Sequence, residues 1–175
     1  MRCPFFNHTL VLLIDHGDEG SFGFVVNRMT DLEIEDVFNE VGVTGEAATT
    51  VHTPVMLGGP VSPESGWILY DAEGVPQPSS GQTISVGKGI ACSASLEILE
   101  RIARGDGPDT CAMMLGYSGW GSGQLENEMK LGSWIPVDLD YDLIFDTPIE
   151  NRWEAALARL GIDPARVIDN QIASA

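Results

Sequence analysis

The sequence predicts a single domain of mixed α and β structure. Its 175 residues suffice for one ordinary hydrophobic core, since a chain of this length buries about two thirds of the surface that its unfolded form exposes. Apolar residues recur at helical spacing in several segments, and short apolar runs between them are separated by turns rich in glycine and proline. No repeat, low-complexity tract or linker divides residues 1–175, so we expect the whole chain to form one domain.

The first predicted elements are a hairpin and a helix. Residues 9–14 and 22–26 are short apolar runs on either side of a polar loop, the pattern of two antiparallel strands. Thr30 and Glu33 have the spacing of a capping box, and residues 34–41 then carry apolar side chains at helical spacing.

The middle of the chain is predicted to contain short strands and one helix. Ser93 is expected to cap this helix, whose apolar face carries Leu96, Leu99 and Ile102. The strands are expected at residues 55–57, 67–70, 83–86 and 110–115.

The last third combines a predicted strand with a predicted helix. Residues 137–145 alternate apolar and acidic side chains, which is the period of a half-buried strand with a solvated acidic face. Thr147 then serves as a predicted N-cap, Pro148 takes the first helical position, and Gly161 ends the helix.

The charge balance limits the classes of partner. Asp and Glu number 26 against 9 Lys and Arg, for a formal net charge of -17, and the cations do not cluster. Binding to nucleic acid requires a basic footprint that neutralises phosphates, so direct DNA binding is disfavoured. No apolar run approaches the roughly 20 residues of a membrane-spanning helix, and no signal-peptide pattern is present. Three widely separated cysteines fit a reducing compartment, so we expect a cytoplasmic protein that binds no membrane.

The most distinctive stretch is the glycine-rich run at residues 115–128. It follows a predicted buried strand and precedes a short helical pattern, so a strand, loop and helix are expected. Its glycines permit positive φ angles and close backbone approach, and Ser122 or Gly123 would cap the helix. Gln124 and Glu128 are expected on one side of that helix, and Glu126 lies between this side and the apolar one.

This run is similar to the GYxGWxxGQLExE signature of the bacterial YqgE/AlgH family. Residues 23–28 resemble that family's GxxxNR motif, and residues 58–61 resemble its GGPV motif. The resemblance covers nearly the whole chain, and it implies an α+β domain built around a small, strongly bent β-sheet or barrel surrounded by helices. It implies no reaction. The family has been labelled a transcriptional regulator, yet the net charge and the absence of a DNA-binding motif oppose that role here.

Several segments match catalytic or ligand-binding motifs only in part. The glycine run lacks the last glycine of a dinucleotide fingerprint, and neither Ser118 nor Ser122 has glycine at both flanking positions of a nucleophile elbow. His8, His16 and His52 are the available bases, but the sequence does not bring any of them to these serines. The aspartates of residues 138–146 lack the Gly and Glu of a calcium loop. We therefore predict neither a cofactor nor a metal site.

The leading hypothesis is a non-catalytic binding or regulatory protein with a small molecule or a protein as its partner. Arg28 could pair with Glu126 or Glu128 as a buried brace, or these residues could line an open cleft, and the sequence leaves both open. The alternative is a hydrolase or transferase in which Glu126 or Glu128 acts as acid or base. The candidate binding residues are Asn27, Arg28, Gly59, Pro60, Tyr117, Gly119, Trp120, Gly123, Gln124, Glu126 and Glu128.

Overall fold

The computed structural model describes residues 4–44, 53–165 and 167 of the chain. Its strands are β1 (Val11–Gly17), β2 (Gly20–Val25), β3 (Val55–Leu57), β4 (Val61–Asp71), β5 (Thr83–Gly87), β6 (Ile90–Ser93) and β7 (Cys111–Gly121). Its helices are α1 (Ile34–Val41), α2 (Leu96–Arg104), α3 (Gln124–Lys130), α4 (Tyr141–Phe145) and α5 (Arg152–Arg159), with 3-10 turns at Pro4–Phe6 and Ile149–Asn151. No helix in these described ranges has the length and apolar character needed to cross a bilayer.

The strands form one bent sheet with β7 near its centre. The order is β1-β2-β7-β4-β6-β5, and the short strand β3 pairs in parallel with β7 while the other pairings are antiparallel. The terminal strands β1 and β5 approach each other, so the sheet is a nearly closed barrel. The predicted α+β class, the barrel and the N-terminal hairpin are confirmed.

Two hydrophobic clusters occupy the two faces of the sheet. One joins Met113 of β7 to the apolar faces of α1 and α2, and the other contains the next residue, Met114, together with Ile144 of α4. Adjacent residues of a strand point to opposite faces, so β7 contributes to both clusters. This double burial explains why residues 111–115 are almost continuously apolar.

The glycine run departs from the predicted loop because β7 continues through it as far as Gly121. Residues 118–121 pair with β2, and Gly116 bends the strand with a φ of 65°. Glycine accommodates this positive φ without the steric cost that a Cβ would add. The helix α3 then begins directly after Gly123, whose φ is 69°.

The predicted strand at residues 137–145 is wrong. Asp140 caps the helix α4, and its carboxylate accepts a hydrogen bond from the Leu143 amide at 3.3 Å. The alternating pattern arose because Leu139 and Tyr141 pack against the core from an irregular segment and from the first turn of this helix. A short helix with few apolar residues is difficult to distinguish from a strand by periodicity alone.

Three predicted helix caps are also corrected. Glu33, rather than Thr30, caps α1 in a capping box with Asp36. Ser95, rather than Ser93, caps α2 and accepts a hydrogen bond from Glu97 N. Thr147 does not cap the last helix. Its hydroxyl donates to Asp142 O, and α5 begins only after the 3-10 turn.

Candidate functional site

The glycine motifs mark places where strands cross at close range. Gly58 N donates to Leu115 O at 2.8 Å, and Gly58 O accepts from Val25 N at 2.8 Å. A Cβ on Gly59 would lie 2.0 Å from the carbonyl carbon of Tyr117, which no side chain permits. The segment at Gly58 and Gly59 therefore contacts the glycine-rich part of β7 through backbone atoms. Position 59 requires glycine for this structural reason.

A cluster around Glu128 links α3 to two tryptophans. Glu128 Oε2 accepts hydrogen bonds from Trp120 Nε1 at 3.1 Å and Trp134 Nε1 at 2.7 Å. Its Oε1 accepts from Gln124 Nε2 at 2.9 Å, and Gln124 Oε1 accepts from Gly121 N at 3.1 Å. We call Trp120, Gln124, Glu128 and Trp134 the Glu128 cluster. Its carboxylate supplies acceptors for both indole N–H groups, which usually find a partner when buried.

The environment of Glu128 favours its ionised form. Partial burial would raise the pKa of this carboxyl, but the hydrogen bonds from Gln124, Trp134 and Trp120 outweigh that cost and hold the pKa below its ordinary value. A carboxylate held in this way is a poor proton donor near neutral pH. Glu128 therefore fits a structural acceptor better than a general acid.

Asn27 and Arg28 hold the N-terminal segment, defined as residues 4–10. Asn27 Oδ1 accepts from Leu10 N and its Nδ2 donates to His8 O, both at 2.8 Å. Arg28 Nη2 donates to Asn7 O at 3.0 Å, and its guanidinium lies 5.3 Å from the ring centroid of Phe5. The side chain thus braces the N-terminal segment.

An ion pair between Arg28 and Glu126 or Glu128, one of the two alternatives that the sequence left open, is absent among the described residues. The two parts are instead connected through aromatic rings. Phe5 contacts Phe6 edge to face at 5.0 Å, and Phe6 stacks on Trp120 at 6.2 Å between ring centroids. The predicted residues therefore form two separate polar groups. Asn27 and Arg28 form one, the Glu128 cluster forms the other, and the aromatic rings of Phe5 and Phe6 lie between them.

A large groove runs beside these groups. Its volume is about 1390 Å³, and it lies between the N-terminal segment with β1 on one side and residues 132–140, α4 and α5 on the other. Of the predicted binding residues, Trp120 lines it, together with neighbouring apolar side chains of α3, Leu125 and Met129. Trp134 and Trp153 also line the groove.

A second cavity of about 630 Å³ lies on the other side of β7. Tyr117, Gly119 and Trp120 of the glycine run line it with Phe22 and Trp67, and Asp15 and Glu19 belong to its lining as well. Trp120 therefore borders both cavities, whereas Tyr117, whose side chain points to the opposite face of β7, lines only this one of the two.

Glu126 lies near a histidine that the sequence did not connect to it. His16 Nε2 is 3.7 Å from Glu126 Oε1, and His16 Nδ1 is 2.7 Å from Ser21 Oγ. The His16 and Glu126 side chains are 46% and 42% exposed. His16 and Ser21 face each other across the β1–β2 hairpin, so a prediction of that hairpin's register would have found their contact.

Two of the predicted binding residues, Pro60 and Gly123, line neither cavity. Pro60 is exposed at the strand crossing, and Gly123 lies immediately before α3. Sequence reasoning gave no binding role to Trp134 or Trp153. For Trp134, the usable signal was that its indole N–H requires an acceptor and that Glu128, six residues earlier in the chain, offers one. His52 falls outside the described residues, and those residues contain no group of three potential metal ligands.

Comparison with known proteins gives consistent matches over most of the chain. The family model described as AlgH-like matches residues 1–165. A "UPF0301 protein" of Paraburkholderia phymatum is 43% identical over 162 residues, covering 93% of this chain and 83% of the relative. One from Burkholderia multivorans is 42% identical over 163 residues, with the same coverage of both chains.

Solved structures share the fold. The solution structure of the AlgH protein from Pseudomonas aeruginosa matches with a TM-score of 0.78 and 33% identity, covering 96% of this chain and 87% of that one. A crystal structure of a Corynebacterium diphtheriae protein matches with a TM-score of 0.70 over 91% of this chain and 81% of that one. At 18% identity this second likeness concerns the fold alone.

Proposed function

This chain belongs to the AlgH-like family, and we propose that it is a non-catalytic binding protein whose groove receives an apolar segment of a partner protein. The observation that carries this proposal is the groove of about 1390 Å³. Pockets for small ligands typically occupy about 300 to 1,000 Å³, so this groove has room for a peptide segment.

The walls of the groove suit an apolar occupant. Three of the chain's four tryptophans line it, namely Trp120, Trp134 and Trp153. His8 packs on Trp153 with 4.5 Å between ring centroids. Tryptophan is enriched among the residues that dominate binding energy at protein interfaces.

Exposed apolar side chains surround the groove. Ile135, Leu160 and Met129 line it with 48%, 41% and 40% of their surface exposed, and Leu131 at the end of α3 is 82% exposed. Apolar side chains exposed along a groove in this way are typical of interaction sites. A partner that covered it would remove this surface from water.

In this proposal, the polar residues of the family motifs hold the walls of the groove in place. Asn27 and Arg28 hold the N-terminal wall through main-chain carbonyl groups, and the Glu128 cluster fixes the orientation of two indoles. A wall fixed before binding lowers the entropic cost of association.

The charge of the molecule indicates the character of the partner. Asp138 and Asp140 line the groove, and the formal net charge of the chain is -17. Arg159 Nη1 lies 2.8 Å from Asp140 Oδ2, which leaves Asp138 and the overall field to attract cations. We therefore expect an apolar segment flanked by Lys or Arg, whose association is accelerated by this field.

Site-specific photo-crosslinking tests the proposal. A benzophenone side chain at position 160, in the groove, is expected to capture a partner segment that the same group at position 96 on α2 does not. The segment is then identified, synthesised and titrated while tryptophan fluorescence is followed. Ile135→Glu is expected to weaken its binding by about ten-fold or more, a loss of about 1.4 kcal/mol.

Leu96→Glu is the matched control, because Leu96 is 49% exposed and lies outside the groove. It is expected to leave the affinity unchanged. Equal affinities for the Ile135→Glu and Leu96→Glu variants, or equal crosslinking from positions 160 and 96, would contradict the proposal.

A second candidate function is proton-transfer catalysis centred on Glu126. The observation that favours it is the proximity of His16 to both Glu126 and Ser21. Glu128 is less suited because its oxygens already accept three hydrogen bonds. A screen of ester and phosphoester substrates tests this function. Turnover lost in both Glu126→Gln and His16→Gln would support it, and an absence of turnover would remove it.

A further inference from the structure

The second cavity has an aromatic wall built around Phe22. The Phe22 ring centroid is 5.9 Å from that of Trp67 and 6.0 Å from that of Tyr117. All three side chains are half-buried and pack against the core cluster that contains Met114. Because the core holds these rings, the wall exists before any ligand binds.

The charges at this cavity have one sign. Asp15 and Glu19 are the acidic residues of its lining, and no Lys or Arg is among the described residues that line it. The rest of the lining is neutral, and Gln82 contributes an amide. The cavity therefore combines aromatic rings with uncompensated negative charge.

We propose that this cavity binds a small organic cation of the alkylammonium class. The negative faces of aromatic rings attract such a cation, by about 0.5 to 2 kcal/mol per ring depending on desolvation. The two carboxylates favour the cation over a neutral compound of the same shape. The volume of about 630 Å³ lies within the usual range for small-molecule sites.

A bare metal ion fits this cavity less well. Asp15 and Glu19 are its two acidic lining residues, and the described residues contain no group of three His, Cys, Asp or Glu side chains that could hold a metal ion. The alkyl groups of an organic cation would in contrast contact the rings and bury their own apolar surface. This site is separate from the proposed groove, although Trp120 borders both.

Gly119 offers a way to close the cavity without disturbing the backbone. A Cβ at this position would be 3.6 Å from Tyr117 Cε2 and 3.9 Å from Val61 Cγ2, which are ordinary contact distances. Its φ lies outside the left-handed region, so a larger residue adds no backbone strain there. Gly119→Leu is therefore expected to fill the cavity in a folded protein.

The test compares choline with 3,3-dimethylbutan-1-ol, a neutral compound of nearly the same shape. Both are titrated at low salt while the indole N–H resonance of Trp67 is followed by NMR. Choline is expected to shift this resonance and to bind about ten-fold more tightly than the alcohol, equivalent to about 1.4 kcal/mol. Equal affinities, or no shift of the Trp67 resonance at about 10 mM choline, would overturn the proposal.

Charge variants in the β1–β2 hairpin provide the matched control. Asp15→Asn combined with Glu19→Gln is expected to weaken choline binding about five-fold or more, since both carboxylates are lost. Asp18→Asn removes one charge from the turn of the same hairpin, at a residue outside the cavity lining, and it is expected to change the affinity by less than about two-fold. If Asp18→Asn weakened choline binding as much as the double variant does, the effect would be one of overall charge, and the proposed site would be overturned.

Two further variants separate this site from the groove. Gly119→Leu is expected to abolish the choline-dependent shift, and unchanged binding in a folded Gly119→Leu protein would overturn the proposal. Ile135→Glu in the groove is expected to leave choline binding intact. Failure of the groove proposal and failure of this one are therefore distinguishable.

Discussion

At the scale of single residues, the family motifs serve backbone packing before they serve a ligand. Gly59 lies against the peptide between Tyr117 and Ser118, and Gly58 accepts a hydrogen bond from Ser118 Oγ at 3.3 Å. These contacts bring β7 and the segment after β3 to a separation that only a residue without Cβ permits. The glycines thus create the crossing from which Tyr117 and Trp120 project to opposite faces.

Gly59→Ala is expected to destabilise the protein by roughly 3 kcal/mol, because its Cβ would overlap backbone atoms that cannot move independently. Urea denaturation measures the change. Gly17→Ala is the control, since a Cβ there meets no atom within 4 Å and the φ of Gly17 is not positive. A Gly59→Ala protein as stable as Gly17→Ala would contradict this account of the crossing.

Glu128→Ala is expected to cost about 1 to 3 kcal/mol of unfolding free energy, because the partly buried indole N–H groups of Trp120 and Trp134 lose their acceptor. The neighbouring variant Glu126→Ala removes a 42% exposed side chain and is expected to change stability by less than about 0.5 kcal/mol. Equal effects of the two variants in urea denaturation would contradict the assigned role of Glu128.

The contribution of Glu128 should also depend on pH. Its pKa is lower in the folded than in the unfolded protein, where it is about 4.3, so the unfolded state binds more protons at acid pH. The stability advantage of the native protein over Glu128→Gln is therefore expected to be complete above about pH 4.3 and to fall as pH drops through the folded pKa. Denaturation curves at several pH values measure it, and an advantage that grew on acidification would have the wrong sign.

At the scale of elements, the N-terminal segment depends on side chains from the end of β2. It contains a 3-10 turn and no strand, and its path is held by hydrogen bonds to Asn27 and Arg28. Segments with few backbone partners open locally more often than sheet strands. The N-terminal segment, which forms one wall of the groove, is thus held in its observed path by the side chains of Asn27 and Arg28.

Asn27→Ala is expected to accelerate hydrogen exchange of the Leu10 amide, because that amide donates to Asn27 Oδ1. The cost in stability is about 1 kcal/mol, typical of one or two lost hydrogen bonds. Asn39→Ala on the exposed side of α1 serves as the control and should leave Leu10 exchange unchanged. Unaltered protection of Leu10 in Asn27→Ala would show that other contacts hold the segment.

At the scale of the whole molecule, the net charge of -17 governs solution behaviour. Like charges repel in the compact state, and salt screens this repulsion. The same field repels the phosphates of nucleic acid.

The unfolding free energy is accordingly expected to rise between low salt and about 0.2 M NaCl, where the Debye length is below about 8 Å. No duplex DNA binding is expected in a gel-shift assay at low salt, where electrostatic binding is strongest. A stability that fell with salt would indicate that attractive pairs dominate. A salt-sensitive DNA complex would restore the DNA-binding hypothesis.

The family, the α+β class and the amphipathic helices are predictable from the amino-acid sequence, because local periodicity and dense motifs record these features. It placed a helix at residues 34–41 and a strand at 110–115, but it misassigned residues 137–145, where tertiary packing overrides an alternating pattern. Which polar groups contact one another depends on how the chain folds. Arg28 reaches the main chain of the N-terminal segment and Glu128 reaches two indoles, since contacts over such sequence distances follow from the register and bending of the sheet. For the same reason the groove and the aromatic cavity, formed by residues far apart in the chain, become visible only in the folded molecule.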